Sequence, residues 1–196
     1  MLHRISQLIS VLLLLVMVFI AGCHDNRASL FLWPDLDDQY AKAVDAWTRS
    51  GALYSGIETQ IIAHATLKSR SWQKAYIKEN VIVYSLSTEE QQALSARLEA
   101  FSETETEVFL SLYSPRPEQA RLRFNDPLWS IFIEEEDAKI YPLEIKPVRE
   151  PLAALQVFYP YVRQWRENYI LKFPGAARDS MVMIMTGPVG RIEFSW

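Results

Sequence analysis

A repeating pattern of short apolar segments and turn residues constrains what the second half of the chain can fold into. Seven such segments cover residues 108–113, 121–124, 128–133, 139–145, 169–173, 181–185 and 191–196. Between them lie clusters of Pro, Gly, Asn and Asp, which are typical of turns. Short strands at regular spacing are typical of antiparallel sandwiches and open barrels. We therefore expect residues 105–196 to be β-rich, with a short helix or an irregular crossover in 149–166.

The preceding segment, residues 34–104, has a different periodicity. Apolar residues at helical spacing predict helices over 34–50 and 71–84, with Gly51 ending the first and Ser71 capping the second. The sequence Ser87-Thr88-Glu89-Glu90 has the form of a capping box, so a third helix is expected to run to about Phe101. Together with the β-rich segment, this predicts an α+β fold in which both parts pack as one unit.

One strand is expected within this helix-rich segment. Residues 57–67 alternate between apolar and polar side chains, which favours a strand with one buried face. The apolar face consists of Ile57, Ile61, Ala63, Ala65 and Leu67. The opposite face carries His64, which is the histidine that would remain in a mature domain. The α+β fold would thus have N-terminal helices and one strand, followed by an antiparallel sandwich or open barrel.

The first residues have the layout of a secretory signal. Arg4 provides a basic start, residues 11–21 are apolar without interruption, and small residues follow. This order of a basic, an apolar and a small-residue region is typical of a signal peptide. The apolar run is shorter than the roughly 20 residues that a membrane-spanning helix needs. We expect residues 1–22 to be a signal peptide.

The residues Ile20-Ala21-Gly22-Cys23 resemble the lipobox of bacterial lipoproteins. The resemblance implies cleavage before Cys23, lipid attachment to its sulfur, and a lipidated tether over residues 23–33. Cys23 is the single cysteine of the chain, and lipidation would explain an odd cysteine in an exported protein. Because Asp25 lies one place beyond the position that retains enterobacterial lipoproteins, the resemblance favours the outer membrane, facing the periplasm. The membrane would then be a partner through Cys23.

The spacing of aromatic and proline residues in the β-rich segment resembles that of immunoglobulin-like envelope domains. The residues that carry the resemblance are Trp129, Pro142, Tyr159, Pro160, Tyr169, Phe173, Pro174 and Trp196. The two cysteines that flank a tryptophan in antibody domains are missing here. The resemblance therefore concerns the rhythm of the strands, and it implies a sandwich without a disulfide.

No motif predicts catalysis, a metal site or a cofactor. His64 alone cannot build a multi-histidine site, and no G-x-S-x-G sequence accompanies it. Ser71 and Lys74 match the S-x-x-K spacing of penicillin-recognising enzymes, but the other motifs of those enzymes are missing. The acidic run 134–137 fits a solvated hairpin tip better than a calcium loop. We therefore predict a protein that is not an enzyme, with no catalytic residues, metal or cofactor.

Charge and aromatic content point to a binding protein. The formal net charge of −4 argues against a nucleic-acid partner, which would require a basic surface. Among the 24 aromatic residues (9 Phe, 9 Tyr, 6 Trp), Phe158, Tyr159 and Trp165 are candidates for contact with an envelope protein or polymer. The sequence thus favours a membrane-anchored envelope lipoprotein that acts as a binding module. The alternative is a lipoprotein that carries a lipid or another hydrophobic ligand.

Overall fold

The computed structural model describes residues 38–124, 128–135 and 138–196. Within them, five helices and nine strands follow one another along the chain. They are α1 (Asp38–Trp47), β1 (Thr48–Ser55), β2 (Glu58–Leu67), α2 (Arg70–Tyr84), α3 (Thr88–Thr104), β3 (Glu105–Tyr113), α4 (Pro117–Ala120), β4 (Ser130–Glu135), β5 (Ala138–Ile140), β6 (Glu144–Pro147), α5 (Leu152–Phe158), β7 (Glu167–Pro174), β8 (Val182–Gly187) and β9 (Gly190–Ser195).

The strands form two antiparallel sheets that pack into a sandwich. The first sheet has the order β1-β2-β3-β7-β6, and the second has the order β5-β4-β8-β9. One apolar cluster contains the inward-facing side chains of both sheets, so the core lies between them. Its completely buried members are Ile61, Ala63, Ala65, Leu67, Val108, Leu110, Leu112, Leu171, Phe173, Met183, Met185 and Phe194. The predicted α+β fold with an antiparallel sandwich is confirmed.

A layer of helices covers the outer face of the five-stranded sheet. Phe109 points outward from the central strand β3, and its ring stacks on Tyr159 with centroids 3.7 Å apart. Trp72 of α2 also stacks on Tyr159, with centroids 5.9 Å apart. Tyr40 of α1 contacts Trp72, so α1 extends this layer. The outer face of this sheet is therefore where helices and strands meet, and it positions the candidate site.

The first helix ends three residues earlier than predicted, and positions 34–37 of the prediction lie outside the described residues. It ends at Trp47, and the chain continues directly into β1, which pairs with β2 from Thr48 onward. Gly51 does not end a helix, because it lies inside β1. A Cβ atom there would be 2.3 Å from Cγ2 of Ile192, so glycine allows β9 to approach β1 closely. The small and polar residues of β1 lack the alternation that would have predicted a strand.

The strand predicted over 57–67 is confirmed as β2, with one exception. Ile61, Ala63, Ala65 and Leu67 are all completely buried, as their alternation predicts. Ile57 was wrongly placed on that face, because it belongs to the turn between β1 and β2 and is fully exposed.

Both later helices are confirmed, and so is the capping box. The hydroxyl of Ser87 accepts a hydrogen bond from the backbone N–H of Glu90, whose carboxylate accepts one from the N–H of Ser87. The cap of α2 is Ser69 rather than Ser71. Its hydroxyl accepts a hydrogen bond from the N–H of Trp72, since the helix begins one residue earlier than predicted.

Residues 121–124 do not form the predicted strand. The Tyr169 hydroxyl accepts a hydrogen bond from the backbone N–H of Leu122 and donates one to the carbonyl of Ala120. A side chain therefore satisfies backbone groups that a neighbouring strand would otherwise pair. Leu122 is nevertheless buried in the core, which explains its apolar character.

The single strand predicted over 139–145 is two strands in different sheets. Residues Ala138–Ile140 pair with β4 in the smaller sheet, whereas Glu144–Pro147 pair with β7 in the larger one. Pro142 lies between them and cannot donate to a strand ladder. The chain leaves one sheet at this proline and enters the other.

The predicted signal peptide, the lipobox and the tether lie outside the described residues. The segment predicted as helix-rich and the segment predicted as β-rich share one sheet, since β1 and β2 pair alongside β3 and β7. In residues 38–124, 128–135 and 138–196, no helix combines the length and apolar character needed to cross a bilayer.

Candidate functional site

A groove runs over the outer face of the five-stranded sheet. One wall consists of α2 and α3, with Trp72, Tyr76 and Leu98 as lining residues, and the other consists of the segment 146–150, which begins within β6. Ile170 of β7 forms part of the floor. Most of α3 is exposed, and Ser102 is its one buried residue. The helix therefore stands at the side of the sheet rather than closing over it.

The groove has a wide lobe and a narrow lobe. The wide lobe has a volume of about 1040 Å³ and extends to Phe101. The narrow lobe has a volume of about 290 Å³ and extends beneath Tyr84 to Leu155 of α5. The two lobes are contiguous, because five residues line both of them. These shared residues are Lys68, Tyr76, Val148, Glu150 and Ile170.

A column of stacked rings supports the groove from within. Tyr76 stacks on Trp72 with centroids 4.8 Å apart, and Trp72 in turn stacks on Tyr159. Burial raises the pKa of Tyr76, so its phenol is neutral at physiological pH. Rings packed in this way have little freedom to move. The aromatic lining of the groove is therefore preformed.

The charged lining of the groove is predominantly basic. Five cations line the two lobes, against the two carboxylates of Glu107 and Glu150. This excess contrasts with the formal net charge of −4 for the whole chain. The five cations are Lys68, Arg97, Lys146, Arg149 and Lys172. An acidic protein thus has a groove that attracts anions.

Two of these cations lie above aromatic rings and are paired with carboxylates. Nζ of Lys68 is 3.0 Å from Oε2 of Glu107 and 6.0 Å from the ring centre of Trp72. Nζ of Lys172 is 2.8 Å from Oε2 of Glu144 and 5.5 Å from the ring centre of Phe101. The hydrogen bond to Glu144 raises the pKa of Lys172. These pairs hold both ammonium groups in fixed positions.

A separate polar cluster surrounds His64 on the outer face of β2. Its ring stacks on Tyr161, and Nη1 of Arg166 donates a hydrogen bond to Nδ1 across 3.1 Å. Burial, and then the charges of Arg166 and Arg163, lower the pKa of His64 to about 4. His64 is therefore neutral at physiological pH.

The polar cluster has no arrangement typical of catalysis. The hydroxyl of Thr66 bonds to that of Tyr161 at 2.5 Å and to that of Thr48 at 2.7 Å. Burial raises the pKa of Tyr161, which keeps it protonated. Among the described residues, His64 contacts a cation and a neutral ring, and neither would orient it as a general base. The cluster ties β1 and β2 to the segment after α5.

The three candidate partner-binding residues do not form one exposed surface. Phe158 and Tyr159 are 7% and 6% exposed and belong to the aromatic layer, where they line the narrow lobe. Trp165 is 79% exposed and has a positive φ of 72°. The structure thus places Phe158 and Tyr159 at the groove and Trp165 at the surface away from its lining.

The other residues considered from the sequence are either held by a neighbouring side chain or exposed at the surface. Ser71 shares a hydrogen bond with Ser69 at 3.1 Å, and Lys74 is exposed on α2. Glu135 at the end of β4 forms an ion pair with Arg178 at 2.8 Å, which lowers the pKa of its carboxyl. Within the parts of the chain that the structure describes, no group of three or more potential metal ligands is found.

The sequence did not reveal the cations of the groove. They come from the β2–α2 link, α3, the segment around β6, and β7, so no local run of basic residues marks them. Only Lys146 and Arg149 are close in sequence, since they flank Pro147 and Val148, and this pair weakly indicates a basic site. The remaining three cations are recognisable as neighbours only once the sheet and helices are assembled.

Comparison with known proteins gives little guidance. No protein-family model matches the chain, and no curated protein is similar to it at a significant level. A solved structure of a novel protein of unknown function from Burkholderia pseudomallei K96243 is similar at 12% identity and a TM-score of 0.43. The match covers 85% of this chain and 88% of that one. This likeness is too distant to support any inference.

Proposed function

We propose that the chain is an envelope lipoprotein whose folded part is a non-enzymatic binding module, and that its ligand occupies the groove over the five-stranded sheet. The observation that carries this proposal is the groove itself, which is open, preformed and lined by aromatic and apolar side chains. Ligand sites are typically concave and apolar, with a few polar groups that orient the ligand.

The open groove fits a binding role better than it fits the role of an enclosed carrier. A carrier would shield its ligand in a closed apolar cavity, but the space between the two sheets is filled by completely buried side chains. The open groove lies on the opposite face of the larger sheet, between the helices. A ligand bound there would stay partly accessible, as a module that presents or senses a ligand requires. The carrier function remains the alternative.

Native mass spectrometry of the full chain in detergent tests this proposal. Monodecanoylglycerol and decanoate serve as a neutral and an anionic probe. We expect a one-to-one adduct with at least one of them. Ile170→Trp places a larger ring on the shared floor and should abolish the adduct, whereas Leu143→Trp, at an exposed position outside the groove, should retain it.

A second groove variant separates lost binding from lost folding. Ala154 lines the narrow lobe from α5, on a different element from Ile170, and Ala154→Phe should fill part of that lobe with a ring. Circular dichroism and thermal unfolding report whether each variant is folded. Loss of the adduct in a folded variant of either kind supports the proposal. Adducts that persist in both folded groove variants, or are absent from the wild type with both probes, would overturn it.

The membrane anchorage is a separate part of the proposal, and it depends on Cys23. If the signal is cleaved at the lipobox, the mature chain begins at Cys23 with a lipid on its sulfur, and two or more acyl chains hold it stably at the membrane. Mass spectrometry of the N-terminal peptide is expected to show a diacylglyceryl cysteine. Cys23→Ser should lack this modification and release the chain from membranes, and an unmodified Cys23 in the mature wild type would contradict the anchor.

A further inference from the structure

We infer that the ligand of the groove is a single-chain anionic lipid, with its charged head in the wide lobe and its chain in the narrow lobe. This inference rests on the proposed binding function and specifies the ligand. It is carried by two observations: cations on both walls of the wide lobe that have no ion-pair partner among the described residues, and a narrow lobe whose far end is uncharged.

The unpaired cations lie on both walls. Arg97 lines the wide lobe from α3, and Lys146 and Arg149 line it from the segment at and after β6. In the described part of the chain, none of these three has a carboxylate within 4 Å. Guanidinium groups bind carboxylates and phosphates with paired hydrogen bonds. An anionic head between Arg97 and Arg149 would thus be bound from two sides.

The narrow lobe is suited to an apolar chain. Its charged lining residues are Lys68 and Glu150, and both belong to the part shared with the wide lobe. Beyond that part, Tyr84, Leu155 and Phe158 form an uncharged end. A charged lobe continuous with an uncharged one matches a molecule that has an anionic head and an extended tail. A compact anion would leave the narrow lobe empty.

Thiol protection in phosphatidylcholine nanodiscs tests the inference on the full chain. Val148→Cys places a reporter thiol in the shared part of the groove, and Leu143→Cys places one outside it. Maleimide modification is followed by peptide mass spectrometry, which separates either thiol from Cys23. Decanoate is expected to protect the thiol at 148 at lower concentration than monodecanoylglycerol and to leave the thiol at 143 reactive.

Charge variants then identify the head-group site. In the Val148→Cys background, Arg97→Gln combined with Arg149→Gln should raise the decanoate concentration for half-protection by about tenfold, since charge-assisted hydrogen bonds to the head group are lost. The monodecanoylglycerol concentration for half-protection should change less than about twofold in the same double variant. Lys74→Gln, an exposed cation of α2 outside the groove, is the matched control and should change neither.

The outcomes separate the two proposals. Equal protection by both probes, or an unchanged response to decanoate in the double arginine variant, would overturn the anionic lipid while leaving a binding groove. Absence of protection by either probe in any variant would contradict the binding function itself. Because all variants share the same nanodisc lipid, partition of the probes into the bilayer affects them equally.

Discussion

The imidazole of His64 lies parallel to the ring of Tyr161, with 5.0 Å between the ring centroids and 12° between their planes. Burial in this stack, together with Arg166 and Arg163, lowers the pKa of His64 from 6.5 to about 4. The unfolded chain therefore binds a proton below about pH 6.5, where the folded chain still does not. We expect the free energy of unfolding to fall as the pH decreases from about 6.5 to about 4.

Urea unfolding near pH 7 and near pH 5 measures this dependence. Between pH 7 and pH 5, the free energy of unfolding should fall by about 1 kcal/mol more in the wild type than in His64→Gln. This figure allows for solvent screening of a half-buried ring. The substitution removes the titrating group, so the carboxylates contribute equally to both proteins. An equal loss in the two proteins would show that His64 titrates normally in the fold.

A tyrosine hydroxyl connects α1 to α5. The Tyr40 hydroxyl donates a hydrogen bond of 3.0 Å to the backbone carbonyl of Phe158, and Tyr40 is 2% exposed. Tyr40→Phe leaves that buried carbonyl without its partner and should lower the free energy of unfolding by about 1–2 kcal/mol. Tyr141→Phe, at a 55% exposed ring, is the control and should have no effect in the same urea titration. A neutral result for Tyr40→Phe would mean that water replaces the hydroxyl.

Glycine is required where β8 ends. A Cβ atom on Gly187 would lie 2.0 Å from the carbonyl oxygen of Leu128, so the backbone itself must move to accept alanine. We expect Gly187→Ala to cost about 2–3 kcal/mol, as overpacking does. Gly56→Ala is a useful comparison, because Gly56 has a φ of +61° but no atom near its Cβ position.

The comparison distinguishes steric conflict from backbone strain. A left-handed conformation costs a residue with a side chain about 1–2 kcal/mol, so Gly56→Ala should be the milder substitution. Differential scanning calorimetry of both variants compares their unfolding temperatures, and Gly187→Ala should have the lower one. The reverse order would contradict the close approach of Leu128.

The capping box of α3 predicts a local effect on stability. Ser87→Ala removes the acceptor for the N–H of Glu90 and should cost about 1 kcal/mol in chemical unfolding. Ser95→Ala, within the same helix, tests the specificity of this effect. Because alanine has a higher helix propensity than serine, that variant should be neutral or slightly more stable. Similar losses in both variants would refute a capping role.

Patterns with a strict local period were predicted well. In β2, Ile61, Ala63 and Ala65 occupy every second position, and a strand turns alternate side chains to opposite faces. The structure buries all three completely. The capping box was equally predictable, since it depends on a side chain and a backbone group three residues apart.

The errors occur where a distant segment decides the local structure. Gly51 ends a helix by local rules, but β9 packs against it and β2 pairs with its strand. Residues 121–124 form no strand, and the backbone N–H of Leu122 instead donates to the hydroxyl of Tyr169, far along the chain. Phe158, Tyr159 and Trp165 were grouped as one set of candidates, but spacing could not show that only Trp165 among them is exposed.

By itself, the sequence determined the class of fold, the buried face of β2 and the cap of α3, because these depend on residues within a few positions of one another. The tertiary structure decided where β5 ends and β6 begins, and it decided the candidate site. Arg97 and Arg149 lie on different elements, and neither resembles a binding residue alone. They line one groove because α3 and the chain after β6 form opposite walls over the same face of the sheet, and this proximity exists only after the strands have paired.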